Sequence, residues 1–312
     1  MSASDPNGDG PAQNGPADVD PAVDGTVRFD ANAHREASLR GWEAAASGWR
    51  RRQGVIRRLS APVSEWLLEA IAPQPGQRIL ELAAGTGETG LLAAQRVGPA
   101  GGVIVSDQAE AMLDGARARA TELSVENVEF KVISAEWIDM PLASVDGVLC
   151  RWGYMLLADP SAALAETRRV LRSGGRLALA VWDAVQHNQW ALQPALELIE
   201  RGLTPAPGAG PDWQPGPFAL GDKERVRELL AGAGFAEIDV QALDLSQRYD
   251  SFEDFWETTL DISNAFHDAV LSRAEVEIDE IRAGLATRLR PFTAADGTLS
   301  IPARTLVASA SA

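Results

Sequence analysis

The stretch Ile79–Gly90, ILELAAGTGETG, decides the fold. It opens with a mostly apolar run of the kind found in strands buried on both faces of a sheet. The glycine-rich GTGETG follows directly and leads into a helical pattern. Glycines let the backbone approach a ligand closely, and the start of a helix supplies free N–H donors. The stretch therefore predicts a ligand-binding strand–turn–helix unit, although dinucleotide dehydrogenases use the same device.

The rest of the chain repeats this alternation of strands and helices. The strand patterns are GGVIVSD (101–107), NVEFKVISAE (127–136), VDGVLCRWG (145–153), RLALAVW (176–182), AEIDVQALDL (236–245) and LSIPARTLVASAS (299–311). The helical patterns are AEAMLDGARARATEL (109–123), PSAALAETRRVLRSGG (160–175), DKERVRELLAGAGF (222–235) and the region 251–289. Such alternation predicts a doubly wound α/β fold around a mostly parallel sheet. We expect the helix over 160–175 to end at its glycines.

A helical region, 31–72, precedes the first strand. We expect breaks at Gly41, Gly48, Gly54 and Pro62, with Ser60 as the N-cap of a second helix. That second helix would bury one face formed by Val63, Trp66, Leu67, Ala70 and Ile71. Pro73 and Pro75 would end it.

The segment composition predicts one domain with insertions. Residues 1–25 have no basic or apolar region typical of a signal peptide and are rich in Pro, Gly, Asp and Asn, so we expect a disordered acidic tail. Residues 26–312 would form the domain. It would have a helical cap (31–72), a core (76–182, 218–249 and 298–312) and lid insertions (183–217 and 250–297), the first of which contains a Pro/Gly-rich loop, 202–217.

The charge of the chain excludes several classes of partner. Its 312 residues carry a formal net charge of −16, which provides no field to attract a phosphate backbone or an anionic membrane surface. A single cysteine, Cys150, rules out an internal disulfide. The three histidines are far apart in sequence, so we expect no metal site. With no apolar run long enough to span a bilayer, we expect a cytoplasmic protein, monomeric or homodimeric.

Three acids mark the ends of the first three predicted strands. Glu81 ends the first strand, and Asp107 ends the second, where a carboxylate can accept hydrogen bonds from both hydroxyls of a ribose. Glu136 follows the third strand, where an acid can accept from an adenine amino group. Because the carboxyl ends of parallel strands meet at one edge of a sheet, these acids favour a ligand that contains an adenosine.

With these acids in place, the sequence resembles the class I S-adenosylmethionine-dependent methyltransferases. Within them it looks most like the ubiquinone/menaquinone-biosynthesis C-methyltransferases and related natural-product enzymes. The matching stretches are ILELAAGTGETG, VIVSDQAEAMLDGARARA, NVEFKVISAEWIDMPLASVDGVLCRWGYMLLADP and ALAETRRVLRSGGRLALAVW. The resemblance implies a Rossmann-like sheet of seven strands, the last antiparallel, and S-adenosyl-L-methionine as cofactor. Two departures are Ala83-Ala84, where many members carry Gly-Cys or Gly-Thr, and Glu81 in place of the commoner Asp.

The resemblance also implies roles for individual residues. Glu81 would orient the methionine amine, Gly85 and Gly87 would pass under the carboxypropyl chain, and Asp107 would hold the ribose. The other expected cofactor-binding residues are Ala83 and Thr86 in the same loop, Gln108, Ala135, Glu136 and Trp137 around the adenine, and Arg151 and Trp152 near the methyl group. From the residues alone, Arg151 could instead pair with an acid, and Trp152 could belong to the core.

Candidates for a general base, which is needed only if the nucleophile arrives protonated, are His187, Tyr154, Asp183 and His267. Nine tryptophans suggest a flat, apolar acceptor, because large rings stack at low entropic cost. Trp66 is expected in the core. Of the other tryptophans, Trp42 and Trp49 lie in the cap, and the lid insertions contain Trp190, Trp213 and Trp256. We therefore expect a small-molecule methyl acceptor, aromatic or polyketide- or quinone-like in class, methylated on carbon or oxygen.

Three alternatives remain open from the sequence. A nicotinamide-dependent oxidoreductase could use the same glycine loop, a regulatory subunit could bind the cofactor without catalysis, and a nucleic-acid or protein methyltransferase could share the core. The basic cluster WRRRQGVIRR (49–58) is expected to neutralise acidic neighbours on a helix face, or else to offer one Arg to the cofactor carboxylate.

Overall fold

A computed structural model describes residues 29–205 and 214–312, and this part of the chain contains one seven-stranded sheet. The strands are β1 (Arg78–Glu81), β2 (Gly102–Asp107), β3 (Val128–Val132), β4 (Val145–Arg151), β5 (Leu171–Trp182), β6 (Ala236–Tyr249) and β7 (Leu299–Ser311). Their order is β3-β2-β1-β4-β5-β7-β6, and β7 runs antiparallel to both of its neighbours. This confirms the predicted α/β fold with a mostly parallel sheet and an antiparallel last strand.

The helices cover both faces of the sheet. They are α1 (Ala31–Arg51), α2 (Gln53–Ile71), α3 (Glu88–Val97), α4 (Glu110–Glu122), α5 (Pro160–Val170), α6 (Gln189–Glu200), α7 (Lys223–Gly232), α8 (Phe252–Ile262), α9 (Asn264–Leu271) and α10 (Glu275–Leu289). Apolar side chains of α2, α3 and α4 form one buried cluster with the sheet, and those of α5 and α7 form another on the opposite face. Parallel strands require such cover, since both of their faces are apolar.

A third core lies beyond the sheet edge. Buried side chains of α6, α8, α9 and α10 pack there with the ends of β6 and β7, for example Phe255 and Trp256 against Tyr249 and Ile301. The predicted lid insertions therefore have a hydrophobic core of their own. Trp256 is buried in it, edge-on to Phe266 with ring centroids 5.6 Å apart, so this tryptophan serves the packing of the lid.

The expected breaks in the N-terminal region are wrong. α1 and α2 are interrupted only at Arg52, and Gly41, Gly48, Gly54, Ser60 and Pro62 all lie within helices. Gly48 is explained by packing, because a Cβ there would lie 2.2 Å from the carbonyl oxygen of Asp261 on α8. The α2 helix ends at Ile71, with Ala72 as its C-cap, before Pro73 as predicted.

Two further boundaries differ from the prediction. The helix over 160–175 ends at Val170, and Leu171 already pairs with Val145 of β4, so the glycines of the VLRSGG stretch (170–175) lie inside β5. Helix α6 lies in the insertion 183–217, where no element was expected. No helix in the described ranges is long and apolar enough to cross a membrane. The expected tail, 1–25, falls outside the described residues.

Candidate functional site

A cavity of about 600 Å³, its open mouth included, lies between α1 and the carboxyl ends of β1, β2 and β4. We call it the sheet-edge cavity. It occupies the point where β1 is flanked by β2 on one side and β4 on the other, which is where open α/β sheets bind ligands. It is lined by Ser38, Trp42, Trp49, Ala83, Gly85, Asp107, Gln108, Met112, Ile133, Ala135, Trp152, Gly153, Leu156 and Leu157. Six of the predicted cofactor residues are in this lining: Ala83, Gly85, Asp107, Gln108, Ala135 and Trp152.

Asp107 is a buried carboxylate in the wall of this cavity. Its Oδ2 accepts a hydrogen bond from the Gly85 amide at 2.9 Å, and its Oδ1 accepts from the Ala109 amide at 3.0 Å. Burial raises the pKa of Asp107, and these backbone donors offset part of that rise. Each carboxylate oxygen can accept more than one hydrogen bond, so Asp107 can hold the glycine loop and a ligand hydroxyl together.

Two non-glycine residues of the lining have left-handed backbone. Ala83, just after β1, has φ 50°, and Trp152, just after β4, has φ 61°. Such conformations cost about 1–3 kcal/mol and persist where the surroundings enforce them, often at ligand sites. Here they turn the chain sharply at the carboxyl ends of the two central strands and so create the floor of the cavity.

Glu81 is buried behind the glycine loop. Burial raises its pKa to about 8, while the neighbouring Arg151 guanidinium opposes that rise. Its Oε2 has no hydrogen-bond partner among the described residues, and the same holds for Glu88 Oε1 and for Nε and Nη1 of Arg151. Gly90 provides the room for this carboxylate, since a Cβ there would lie 2.3 Å from Glu81 Oε2. The structure thus gathers Glu81, Glu88 and Arg151 into a buried polar cluster.

A second and larger cavity, which we call the aromatic cavity, adjoins the first. It measures about 1650 Å³ with its open mouth, and its wall is mostly apolar. Five residues line both cavities: Ser38, Trp42, Trp49, Trp152 and Leu156. The aromatic cavity also contains Trp182 and Trp190 of the sheet edge and α6, as well as residues of α8, α9 and β6. The two cavities therefore share a wall made largely of tryptophan.

The tryptophans at this wall are stacked and fixed. Trp152 lies nearly parallel to Trp182, with ring centroids 4.2 Å apart, and Trp182 contacts Trp190 at 5.0 Å. The indole Nε1 of Trp152 donates to Thr305 Oγ1 at 3.0 Å. A stack anchored in this way presents a rigid flat surface, which suits a flat apolar ligand.

Several predicted cofactor residues lie outside the lining. The Glu136 carboxylate pairs with Arg35 Nε at 2.7 Å and accepts from the Asp159 amide, so it connects α1 to the sheet edge, and its expected adenine contact stays a prediction. The Trp137 side chain is 75% exposed and lines neither the sheet-edge cavity nor the aromatic cavity. Thr86 is buried against Gly115 of α4. Gly87, in the loop, packs against Ala116 and Val105, and Glu81 and Arg151 lie behind the loop; the expected contacts of all three with the cofactor stay predictions.

Tyr154 lies away from both cavities, so its catalytic role stays a prediction that the geometry does not support. Its side chain is 1% exposed in the sheet core, and its hydroxyl is hydrogen-bonded to Thr167 Oγ1 at 2.6 Å. His187 lies outside both linings, with its Nδ1 3.2 Å from Asp183 Oδ2. Asp183 faces that histidine, and the ring of His267 contacts the Leu260 carbonyl. None of these four base candidates lines either cavity.

The sequence reasoning missed most of what α1 contributes. Ser38 accepts a hydrogen bond from Gln108 at 3.0 Å, and Trp42 and Trp49 form the shared wall. The available signal was the presence of two tryptophans seven residues apart in the cap. Arg51 and Arg52 of the basic cluster pair with Asp261 of α8, as the first interpretation of that cluster expected. Trp213 lies outside the described residues.

Known proteins match both the sequence and the fold. The family described as a methyltransferase domain matches residues 73–234. Nocamycin O-methyltransferase of Saccharothrix syringae is 30% identical over 206 residues, which are 62% of this chain and 71% of that protein. The ubiquinone/menaquinone biosynthesis C-methyltransferase of Shewanella frigidimarina is 25% identical over 181 residues, 55% of this chain and 71% of that protein. The crystal structure of the YcgJ protein of Bacillus subtilis has the same fold, with a TM-score of 0.52 and 18% identity over 80% of this chain and 97% of that chain.

Proposed function

The chain belongs to the class I S-adenosylmethionine-dependent methyltransferases, and on that premise we propose that it methylates a flat, largely apolar small molecule held in the aromatic cavity. The observation that carries the proposal is the shared tryptophan wall, because it puts a large apolar site directly beside the cofactor edge of the sheet. Relatives whose printed names concern nocamycin, ubiquinone and menaquinone support a small-molecule acceptor.

The residues at the sheet edge suit S-adenosylmethionine, whose ribose carries hydroxyls and whose methionine end carries an amine and a sulfonium. Asp107 supplies hydrogen-bond acceptors in the wall, and Glu81 supplies a buried carboxylate oxygen without a partner among the described residues. The faces of Trp49 and Trp152 offer surfaces that attract a cation, worth about 0.5–2 kcal/mol per contact. Asp107, Gln108 and Ala135 would hold the nucleoside, and Glu81 the amine.

The contribution of the protein to the reaction is mainly alignment and exclusion of water. The cofactor supplies an electrophilic methyl group that departs as the positive charge on sulfur is lost. The stacked Trp152 and Trp182 would fix the plane of the acceptor, and α1 would separate both ligands from solvent. Such positioning can lower a barrier by roughly 7–11 kcal/mol. Since the base candidates lie outside both linings, we propose that the acceptor is deprotonated before transfer or loses its proton to water.

Two measurements test this function. Titration calorimetry should detect binding of S-adenosylmethionine and S-adenosylhomocysteine but not NADH. Incubation with methyl-labelled cofactor and a metabolite extract should place the label in the small-molecule fraction. Label in nucleic acid or protein alone, or binding of the cofactor with no labelled product from a broad panel of acceptors, would contradict the proposal.

A further inference from the structure

One buried amide stands out on the wall of the aromatic cavity. Gln247, on β6, is 5% exposed and lines the cavity together with Tyr249. Its Oε1 accepts a hydrogen bond from the Tyr249 hydroxyl at 2.9 Å. The structure shows no hydrogen bond from its Nε2 to another described residue, although the residue lines the cavity. An amide donor on a mostly apolar wall is left to water or to a ligand as its acceptor.

Tyr249 determines which end of this amide faces the cavity. Burial raises the pKa of the Tyr249 phenol above its ordinary value, so the hydroxyl keeps its proton and acts as the donor. In the structure the amide oxygen faces Tyr249, which leaves the NH₂ group for the other side. The Gln247 amide therefore presents N–H donors at this position of the wall.

The other polar groups of the wall are already used or are exposed. His34 contacts the Leu156 carbonyl, the Asn264 amide donates to the Gly41 carbonyl, and Ser263 caps α9. Within the described lining, the sole acid is Asp268, which is exposed at the rim. A second unused donor in this lining is the buried Trp49 Nε1. The interior of the cavity is thus apolar with hydrogen-bond donors, which suits a ligand whose buried polar atoms are acceptors.

The register of β6 and β7 gives the position of Gln247 along the cavity. Gln247 pairs with Ile301, whereas Thr305, which binds the Trp152 indole, lies four residues further along β7. Four residues of a strand span about 13 Å. Gln247 therefore contacts the end of the cavity that is remote from Trp152 and the sheet-edge cavity.

We propose that Gln247 is a specificity-determining residue that binds a carbonyl oxygen of a planar aromatic ketone or quinone, at the end of the acceptor remote from the atom that is methylated. This rests on the proposed function, since it assumes that the aromatic cavity holds the acceptor. Tyr249 acts as a positioning residue, because it orients the amide through Oε1.

The test compares two probes with the same ring skeleton, 2-hydroxyanthraquinone and 2-hydroxyanthracene, which differ by the two carbonyls. Their dissociation constants are measured at pH 6 by quenching of tryptophan fluorescence, in the presence of saturating S-adenosylhomocysteine. The variants are Gln247→Leu and Gln247→Met, which both remove the N–H donors and keep an apolar side chain of comparable size. Gln241→Leu, at an exposed position of the same strand, is the matched control.

We expect the wild type and the Gln241→Leu control to bind the quinone about tenfold more tightly than the hydrocarbon, as one buried hydrogen bond allows. Both Gln247 variants should lose this preference and keep the wild-type affinity for S-adenosylhomocysteine. The proposal is overturned if the preference survives in the Gln247 variants, if the wild type shows none, or if neither probe binds to a protein that binds S-adenosylhomocysteine. Failure to bind S-adenosylhomocysteine would instead overturn the proposed function.

Discussion

Gly90 is the residue on which the position of the Glu81 carboxylate depends. A Cβ at this position would overlap Glu81 Oε2, at 2.3 Å. We expect Gly90→Ala to push the carboxylate out of its buried site, to lower the free energy of unfolding by about 1–3 kcal/mol, and to weaken binding of S-adenosylmethionine. Urea denaturation and calorimetry measure the two effects.

Gly232 provides the control for this substitution. It also lies in a helix, α7, but a Cβ there would meet no atom within 4 Å. Gly232→Ala should be neutral or stabilise the fold by up to about 1 kcal/mol, because alanine is the better helix former. Equal losses in the two variants would show that the contact between residue 90 and Glu81 has no special role.

Glu81 should also make the stability depend on pH. Its pKa in the folded protein, about 8, lies above the ordinary 4.5, so the native state holds this proton more tightly than the unfolded chain does. Its contribution to stability is therefore fully present below about pH 4.5 and is lost as the pH rises through 8. Glu81→Gln, which cannot ionise, should gain stability relative to the wild type over this window. Denaturation at several pH values measures the difference, and parallel curves for the two proteins would refute the assignment.

The N-terminal helix α1 is held to the rest of the molecule by ion pairs. Arg52, at its C-terminal end, contacts Glu257 at 2.6 Å and Asp261 at 2.7 Å on α8. The side chains of Arg52 and Asp261 are largely withdrawn from solvent, whereas that of Glu257 is about half exposed. At the other end Arg35 pairs with Glu136, and between them Glu43 accepts from the free amide of Glu110 at the start of α4. These contacts place α1 over both cavities.

Loss of Arg52 should therefore loosen α1. We expect Arg52→Ala to cost about 2 kcal/mol of unfolding free energy, since hydrogen bonds between charged groups are lost and acids of α8 are left close together. It should also speed hydrogen exchange of the α1 amides. Arg40→Ala, on the same helix, removes an exposed pair with Glu36 at 3.6 Å and should change stability by less than about 0.5 kcal/mol. Similar exchange rates in both variants would count against this role of Arg52.

At the level of elements, local sequence patterns predict some features of the structure and fail to predict others. The apolar strands and the Asp107 position follow from periodicity and the glycine loop, and the structure contains them. The breaks expected at Gly41 and Gly48 do not exist, because these glycines serve the contact of α1 with α8 and α9, which no local pattern encodes. The end of α5 was missed for a similar reason, since pairing of Leu171 with β4 overrides the helical pattern.

Long-range contacts also decide the surroundings of two predicted site residues. Glu136 was expected at the adenine because of its place after β3, but Arg35, a hundred residues earlier, engages its carboxylate. Tyr154 follows β4 closely, yet its ring turns into the core, where Thr167 accepts or donates the hydrogen bond of its hydroxyl. Both outcomes depend on long-range contacts, which one sequence does not display.

At the scale of the whole molecule, the sheet-edge cavity and the aromatic cavity are lined by segments that are distant in sequence. The lining of the sheet-edge cavity comes from α1 and from the ends of β1, β2 and β4, and the aromatic cavity adds β6, α8 and α9. A ligand that contacts all of these should stabilise the native state as a unit, by RT ln(1 + [L]/Kd), or about 2.7 kcal/mol at a hundredfold excess over Kd. We therefore expect S-adenosylhomocysteine to raise the melting temperature and to protect amides in both α1 and the loop after β1 from exchange.

Asp107→Ala separates this ligand effect from the stability of the fold. The variant loses the acceptors of the Gly85 and Ala109 amides, so it should melt at a lower temperature without ligand. It should also lose most of the increase caused by S-adenosylhomocysteine, because the same carboxylate would bind the ribose. Thermal melts of both proteins over a range of ligand concentrations test this. An unchanged increase in the variant would show that the ligand does not contact Asp107. Protection confined to the loop, with α1 unaffected, would show that α1 does not close over the cofactor.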